Sequence, residues 1–225
     1  MNWGKNESLC IVEFIFFQDL IRFFHGDIGE QATLDTFLNQ LGTPIDALIN
    51  NACISRNGIL SHADWADFEA VQRVGVTAPY YLVSQLYQRT QLVKGASIVN
   101  IASTRANQSQ ADTECYAAVK GGILSLTHAL AVSLSGHARV NAISPGWIDV
   151  SPAEAPYPFE PADLTQHPAR RVGTPDDIAH MVLFLCDAQK SGFITGENIV
   201  IDGGMSRLMV YHNDKGWHYQ PPSEA

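Results

Sequence analysis

Residues 97–120 read SIVNIASTRANQSQADTECYAAVK. The first six, Ser97–Ala102, are a nearly continuous apolar, β-branched run, the pattern of a strand covered on both faces. Ser103 follows at once. Thirteen residues further on, Tyr116 and Lys120 stand four apart within a stretch of helical periodicity over roughly 113–135. That spacing projects both side chains from one helix face about one turn apart. A strand ending in a hydroxyl and followed by such a helix belongs to a parallel crossover unit, in which ligands meet the carboxyl ends of the strands.

The same alternation extends outward in both directions. Ile45–Asn50 (IDALIN), Ala138–Ile143 and Asn198–Ile201 read as further strands, and roughly 64–90 and 174–188 as further helices. Strands alternating with long amphipathic segments predict an α/β fold, a Rossmann-like doubly wound parallel sheet in one domain. The helix near 174 opens with Thr174-Pro175-Asp176-Asp177, in which a capping hydroxyl, a preset φ and two acids suit a helix start. Residues 151–168 hold five of the eleven prolines, which excludes a regular helix or central strand and predicts a loop over a site.

With 225 residues, 46% of them apolar and 16% charged, the chain has the composition of one filled globular core. The net charge of −9 opposes phosphate backbones and anionic lipid, so neither nucleic acid nor a membrane is an expected partner. Cys10, Cys53, Cys115 and Cys186 lie more than forty residues apart with no CxxC pair. They read as free thiols of a cytoplasmic protein. Leu9–Ile21 is the most apolar stretch, but Glu13, Asp19 and Arg22 break it below the roughly 20 residues of a membrane span. The eight histidines show no HxxxH or HExxH spacing, so no metal site is expected.

An ammonium one turn from a phenol favours the ionised phenol and lowers its pKa. Bringing a tyrosine to neutrality asks for roughly 4 kcal/mol, more than one lysine easily supplies, and a cationic cofactor ring nearby would help. A hydroxyl donor at Ser103 and a phenol acid at Tyr116 could then meet one carbonyl oxygen. The bland alternative for the pair alone is a core tyrosine beside a solvated lysine.

In this arrangement the chain resembles the short-chain dehydrogenase/reductase family, through several motifs in the right order. They are Gly26-Asp27-Ile28, Asn50-Asn51-Ala52, Ser103, Tyr116-x-x-x-Lys120, Pro145-Gly146-Trp147-Ile148 and Ile194-Thr195-Gly196 with Asp202-Gly203-Gly204. The resemblance covers about residues 23–206. It implies hydride transfer between NAD or NADP and an alcohol/carbonyl substrate, with the preference between the two cofactors open. Tyr116 would be the general acid/base, Ser103 would orient the carbonyl, and Lys120 would bind the nicotinamide ribose and depress the tyrosine pKa. By the same resemblance the backbone of Pro145, Gly146 and Ile148 would hold the carboxamide, Asn51 and Ala52 would flank the cofactor, and Asp27 and Ile28 would lie at the adenine. A homodimer or homotetramer is implied as well.

Three departures stand out. The family's glycine after Asn-Asn-Ala is Cys53, and the asparagine that usually completes a catalytic tetrad is Gly75. No two of the seventeen glycines are spaced two apart, so the glycine-rich phosphate turn that should follow the first strand has no counterpart. The family's strand order 3-2-1-4-5-6-7 then leaves Ile45–Asn50 as an exposed apolar edge. A misassigned start or truncation, Leu9–Phe17 serving as a substitute strand, or cover from another chain would each account for this N-terminal shortening, with residues 1–22 forming an atypical segment. The alternative function is a catalytically inactive remnant or binding protein unable to hold a dinucleotide.

Overall fold

The computed structural model describes residues 11–16, 20–216 and 218. Residues 1–10 and 17–19 of the atypical N-terminal segment, Cys10 among them, lie outside the described residues.

The described residues form two sheets. Strands β1 (Ile11–Phe16) and β2 (Leu20–His25) pair antiparallel, in register from Ile11↔His25 to Phe16↔Leu20. Strands β3 (Ile45–Asn50), β4 (Leu92–Ile101), β5 (Ala138–Pro145) and β6 (Asn198–Ile201) form a parallel sheet in that order. This succession reproduces the last four places of the expected strand order. The substitute-strand expectation fails for the described part of Leu9–Phe17, because β1 is joined to β2 and not to the parallel sheet. The two strands stand three residues apart in the sequence, whereas a parallel neighbour needs a crossover of a dozen or more residues. Among the described residues β3 is therefore an edge strand of its sheet, and its Ile49 is 41% exposed.

Helices cover both faces. On one side α1 (Gln31–Gln40), α3 (Ala78–Gln88) and α4 (Glu114–Ser133) pack Leu38, Leu86 and Leu130 against Ile98 and Val140. On the other, α6 (Pro175–Cys186) sets Leu185 against Val99 and Ile143. The faces alternate along β4, with Ile98 one way and Val99 the other, as the pleat requires. Each fully buried Leu or Ile contributes about 1.5–3 kcal/mol. Helix α4 is long and apolar enough to cross a membrane by length and composition, but its Val119, Ile123, Leu130 and Ala131 are buried in the fold.

Two local expectations need correction. The stretch 64–90 is not one helix: α2 (Trp65–Gln72) gives way to a π turn, Arg73–Thr77, before α3 begins. Gly75 sits within that turn, against Val119 of α4, where its missing side chain permits the approach. The proline-rich stretch 151–168 contains one short helix, α5 (Pro161–Thr165). Pro161 occupies the start of α5, where no helix amide is lost, and Asp163 accepts from the Glu160 N–H at 2.9 Å.

Candidate active site

The carboxyl ends of β3, β4 and β5 lie side by side, which brings three sequence-distant segments to one edge. From β3 the chain passes through Asn51 and Ala52 to Cys53. Asn50 is held by a polar chain across the sheet: its Nδ2 donates to Asn100 Oδ1 at 2.7 Å, and Asn100 Nδ2 donates to Thr127 Oγ1 at 2.9 Å. Asn100 is fully buried, so these bonds tie α4 to the two strands that present the site.

Ser103 follows the end of β4 and is 8% exposed; its Oγ accepts from the Arg105 N–H at 3.2 Å. Its side chain helps hold the Tyr116 phenol down against the effect of burial. Lys120 is 5% exposed, and its Nζ donates to the Ile101 carbonyl at 2.8 Å. The same Nζ stands 5.4 Å from the Tyr116 ring centroid, and Arg105 Cζ stands 5.9 Å from it. Ser103, Tyr116 and Lys120 are thus brought together, and the reading of Lys120 as a solvated lysine is excluded by its burial.

The electrostatics differ from expectation. Burial pushes the Tyr116 phenol above the ordinary tyrosine value, negative charge on Cys53 adds to the rise, and Ser103 and Arg105 oppose it. Lys120 is not what lowers it: burial holds the Lys120 ammonium below its ordinary value, and its nearest bond goes to a carbonyl. The desolvation that gathers these groups favours their neutral forms.

From β5 the chain enters Pro145–Ile148. Gly146 N–H donates to the Ile201 carbonyl at 2.9 Å, and a Cβ at Gly146 would stand 2.6 Å from Asp202 Cβ and 2.8 Å from Asp202 Cα. Only glycine permits this approach of the two strand ends. Ile148 bridges to Gly173, whose N–H donates to the Trp147 carbonyl at 3.0 Å. Trp147 in turn meets Tyr157 and Phe159 edge to face, with centroids 5.8 and 5.7 Å away. The proline-rich loop therefore folds its aromatic residues against the segment that follows β5.

Asp27 and Ile28 lie farther along this edge, in the turn from β2 to α1. Asp27 Oδ1 accepts from the Gly29 N–H at 2.8 Å, and Asp27 lines a cleft of about 520 Å³ that Ile54, Arg56, Arg73 and Val74 also line. The Ile28 side chain is turned into the core, so only its backbone faces this turn.

Two residues at the site were not singled out by the sequence pattern. Arg105 lies over Tyr116, and the sole hint is its place two residues after Ser103. Asp112 accepts the backbone N–H groups of Gly58, Leu60 and Ser61 at 2.9–3.0 Å and so fastens the loop after β3 to the segment preceding α4. No spacing rule marks it, because its partners lie more than fifty positions away.

The family described as enoyl-(acyl carrier protein) reductase matches residues 18–206. An uncharacterized oxidoreductase of Thermotoga maritima is 47% identical over 175 residues, covering 74% of this chain and 68% of that protein. The alignment thus spans about two thirds of that relative's length. An apo SCOR enzyme from Clostridium thermocellum matches with a TM-score of 0.79 and 48% identity, covering 88% of this chain and 79% of the other. A 4-hydroxyisoleucine dehydrogenase solved with NADH matches with a TM-score of 0.70 and 28% identity, covering 81% and 80%. Nothing in these comparisons supports an inactive remnant.

Proposed function

The chain belongs to the short-chain dehydrogenase/reductase family, and on that premise we propose that it moves hydride between NAD or NADP and the alcohol/carbonyl pair of a small substrate. The observation that carries this reading is the convergence of Ser103, Tyr116 and buried Lys120 at the carboxyl ends of adjacent parallel strands.

The nicotinamide end of a dinucleotide fits the residues present. Gly146 leaves the backbone of Pro145–Ile148 free of a side chain at its closest approach to Asp202, and Asn51 and Ala52 directly follow the carboxyl end of β3. Asp27, with the backbone of Ile28, would meet the adenine end beside the cleft. No glycine-rich turn after a parallel strand is found among the described residues, so a pyrophosphate cradle is not assigned. The bound nicotinamide supplies or accepts the hydride.

The remaining work falls to the side chains. Ser103 hydrogen-bonds and orients the substrate oxygen, while the Tyr116 hydroxyl gives it a proton during reduction and takes one back during oxidation. A raised phenol pKa keeps Tyr116 protonated at neutrality, which favours the donor role. Lys120, whose Nζ stands 5.4 Å from the Tyr116 ring centroid, would bind the ribose of the nicotinamide. Trp147, Tyr157 and Phe159 give the substrate side an aromatic wall. Exposed apolar Val132 on α4 and Leu183 on α6 offer surface for a homodimer or homotetramer. The free thiols Cys53, Cys115 and Cys186 suit a cytoplasmic setting.

The test is turnover of a panel of ketones and alcohols with NADH and NADPH, in the wild-type chain and in Tyr116→Phe. The variant is expected to lose about 10²–10⁴-fold in turnover, with cofactor fluorescence and melting temperature retained. Equal turnover in the two proteins would remove Tyr116 from the mechanism.

A further inference from the structure

Arg105 is held at Ser103 and Tyr116 alike. Its N–H donates to Ser103 Oγ at 3.2 Å in the short turn Thr104–Ala106, and its guanidinium Cζ stands 5.9 Å from the Tyr116 ring centroid. Backbone and side chain of one residue thus touch both of the groups between which a substrate oxygen would sit. A cation placed there lies within a few bonds of the reacting carbon of any short substrate.

The charge is also the one left uncompensated in its segment. Four charged residues fall within 103–120, and three of them are engaged by the fold. Asp112 accepts the N–H groups of Gly58, Leu60 and Ser61, Glu114 Oε2 accepts the Ile59 N–H at 3.2 Å, and Lys120 Nζ donates to the Ile101 carbonyl at 2.8 Å. Arg56, Arg73, Arg89 and Arg171 each stand against an Asp or Glu, but Arg105 enters no ion pair among the described residues. Its side-chain partner is the neutral amide oxygen of Gln110, an exposed residue. An ionised acceptor bonds a guanidinium about twice as strongly as a neutral one, so a carboxylate brought to this half-buried cation displaces the amide.

We infer that Arg105 is a specificity-determining residue that binds the carboxylate of an acidic substrate, a hydroxy acid or the matching oxo acid with its carboxylate a few carbons from the reacting carbon. The inference rests on the oxidoreductase reading and narrows its substrate class. The planar fork of the guanidinium takes both carboxylate oxygens and so fixes the rest of the molecule against Ser103 and Tyr116. A guanidinium that only stacked on the phenol ring would serve charged and neutral substrates equally.

That difference supplies the test. 2-Hydroxybutyrate, 3-hydroxybutyrate and 4-hydroxypentanoate are compared with their methyl esters, which remove the charge, as substrates with NAD and NADP in the wild type, Arg105→Gln and Arg105→Lys. In the wild type one of the acids should exceed its ester in kcat/KM. Arg105→Gln should lower that acid-to-ester ratio about tenfold or more, and Arg105→Lys, which keeps the charge without the fork, should fall between. Acid and ester losing equally in a variant that melts like the wild type would overturn the proposal and leave Arg105 as a stacking partner of Tyr116.

A second readout needs no turnover. The same acids are titrated calorimetrically into the wild type and Arg105→Gln, with and without NADH, and the tightest of them should bind about tenfold more weakly to the variant. Arg105-dependent binding without turnover of any compound would sink the oxidoreductase reading and leave the carboxylate site. Turnover of the esters with the acids neither bound nor consumed would sink the carboxylate site alone, and neither binding nor turnover would sink both.

Discussion

Lys120 Nζ donates to the Ile101 carbonyl at 2.8 Å, so the ammonium one helical turn from Tyr116 is tied to the last residue of β4. That bond joins α4 to the strand end at which Ser103 follows. It fixes the lysine where a merely solvated side chain would wander, and it does so at the cost of burying a charge.

Replacing Lys120 by Met sets two opposing terms against each other. The desolvation of a 5% exposed ammonium is relieved, and the Ile101 carbonyl loses a donor, a change of about 1–3 kcal/mol each way. The melting temperature should therefore move little while turnover falls about 100-fold or more. Thermal melts run beside turnover assays check this; a collapse in stability with proportionate loss of activity would make Lys120 structural.

Gly146→Ala should be costly, because the added methyl would stand 2.6–2.8 Å from Asp202 Cβ and Cα, and the backbone member of that pair cannot swing aside. A loss of about 1–3 kcal/mol is expected from overpacking. Denaturant unfolding measures it, and cofactor binding should weaken together with stability as Pro145–Ile148 is displaced.

The carboxylate of Asp177 accepts both Arg171 guanidinium nitrogens at 2.6 Å and the Thr174 N–H at 2.8 Å, which holds it well below the usual carboxylate range. A depressed carboxylate contributes stability that is present above its unfolded pKa of about 4 and lost as pH falls through the folded value. Asp177→Asn should cost about 1–2 kcal/mol near neutrality, and the two melting curves should converge in acid. A difference that persists unchanged into strong acid would refute the ionic origin. The same variant tests the support of Trp147, since Gly173 lies four residues before Asp177 and bonds Trp147.

Ile49 lies on β3, an edge strand of the parallel sheet among the described residues, with 41% of its surface exposed. Unpaired apolar edges recruit other strands, and lysine blunts them. Ile49→Lys should reduce concentration-dependent scattering with stability changed by no more than about 0.5 kcal/mol. Equal scattering would show that this edge does not drive association.

The parallel strands were legible because period and β-branching are local properties: Ile45–Asn50 and Asn198–Ile201 have the boundaries that their residues predict. Tyr116 and Lys120 were legible for the same reason, since a four-residue separation fixes a shared helix face wherever the helix lies. The break in 64–90 was not legible, because a π turn at Gly75 answers to the packing of Val119, a residue from another helix.

By itself, then, the sequence determined an α/β chain with a hydroxyl, a phenol and an amine set at strand end and helix face, since each rests on spacings of a few residues. Only the tertiary structure decided that β1 joins β2 and leaves β3 at an edge among the described residues, that burial lifts the Tyr116 phenol, and that Gly75 meets Val119 and Cys53. Those outcomes depend on desolvation and on contacts between residues far apart in the chain, and neither quantity is a property of any short stretch of it.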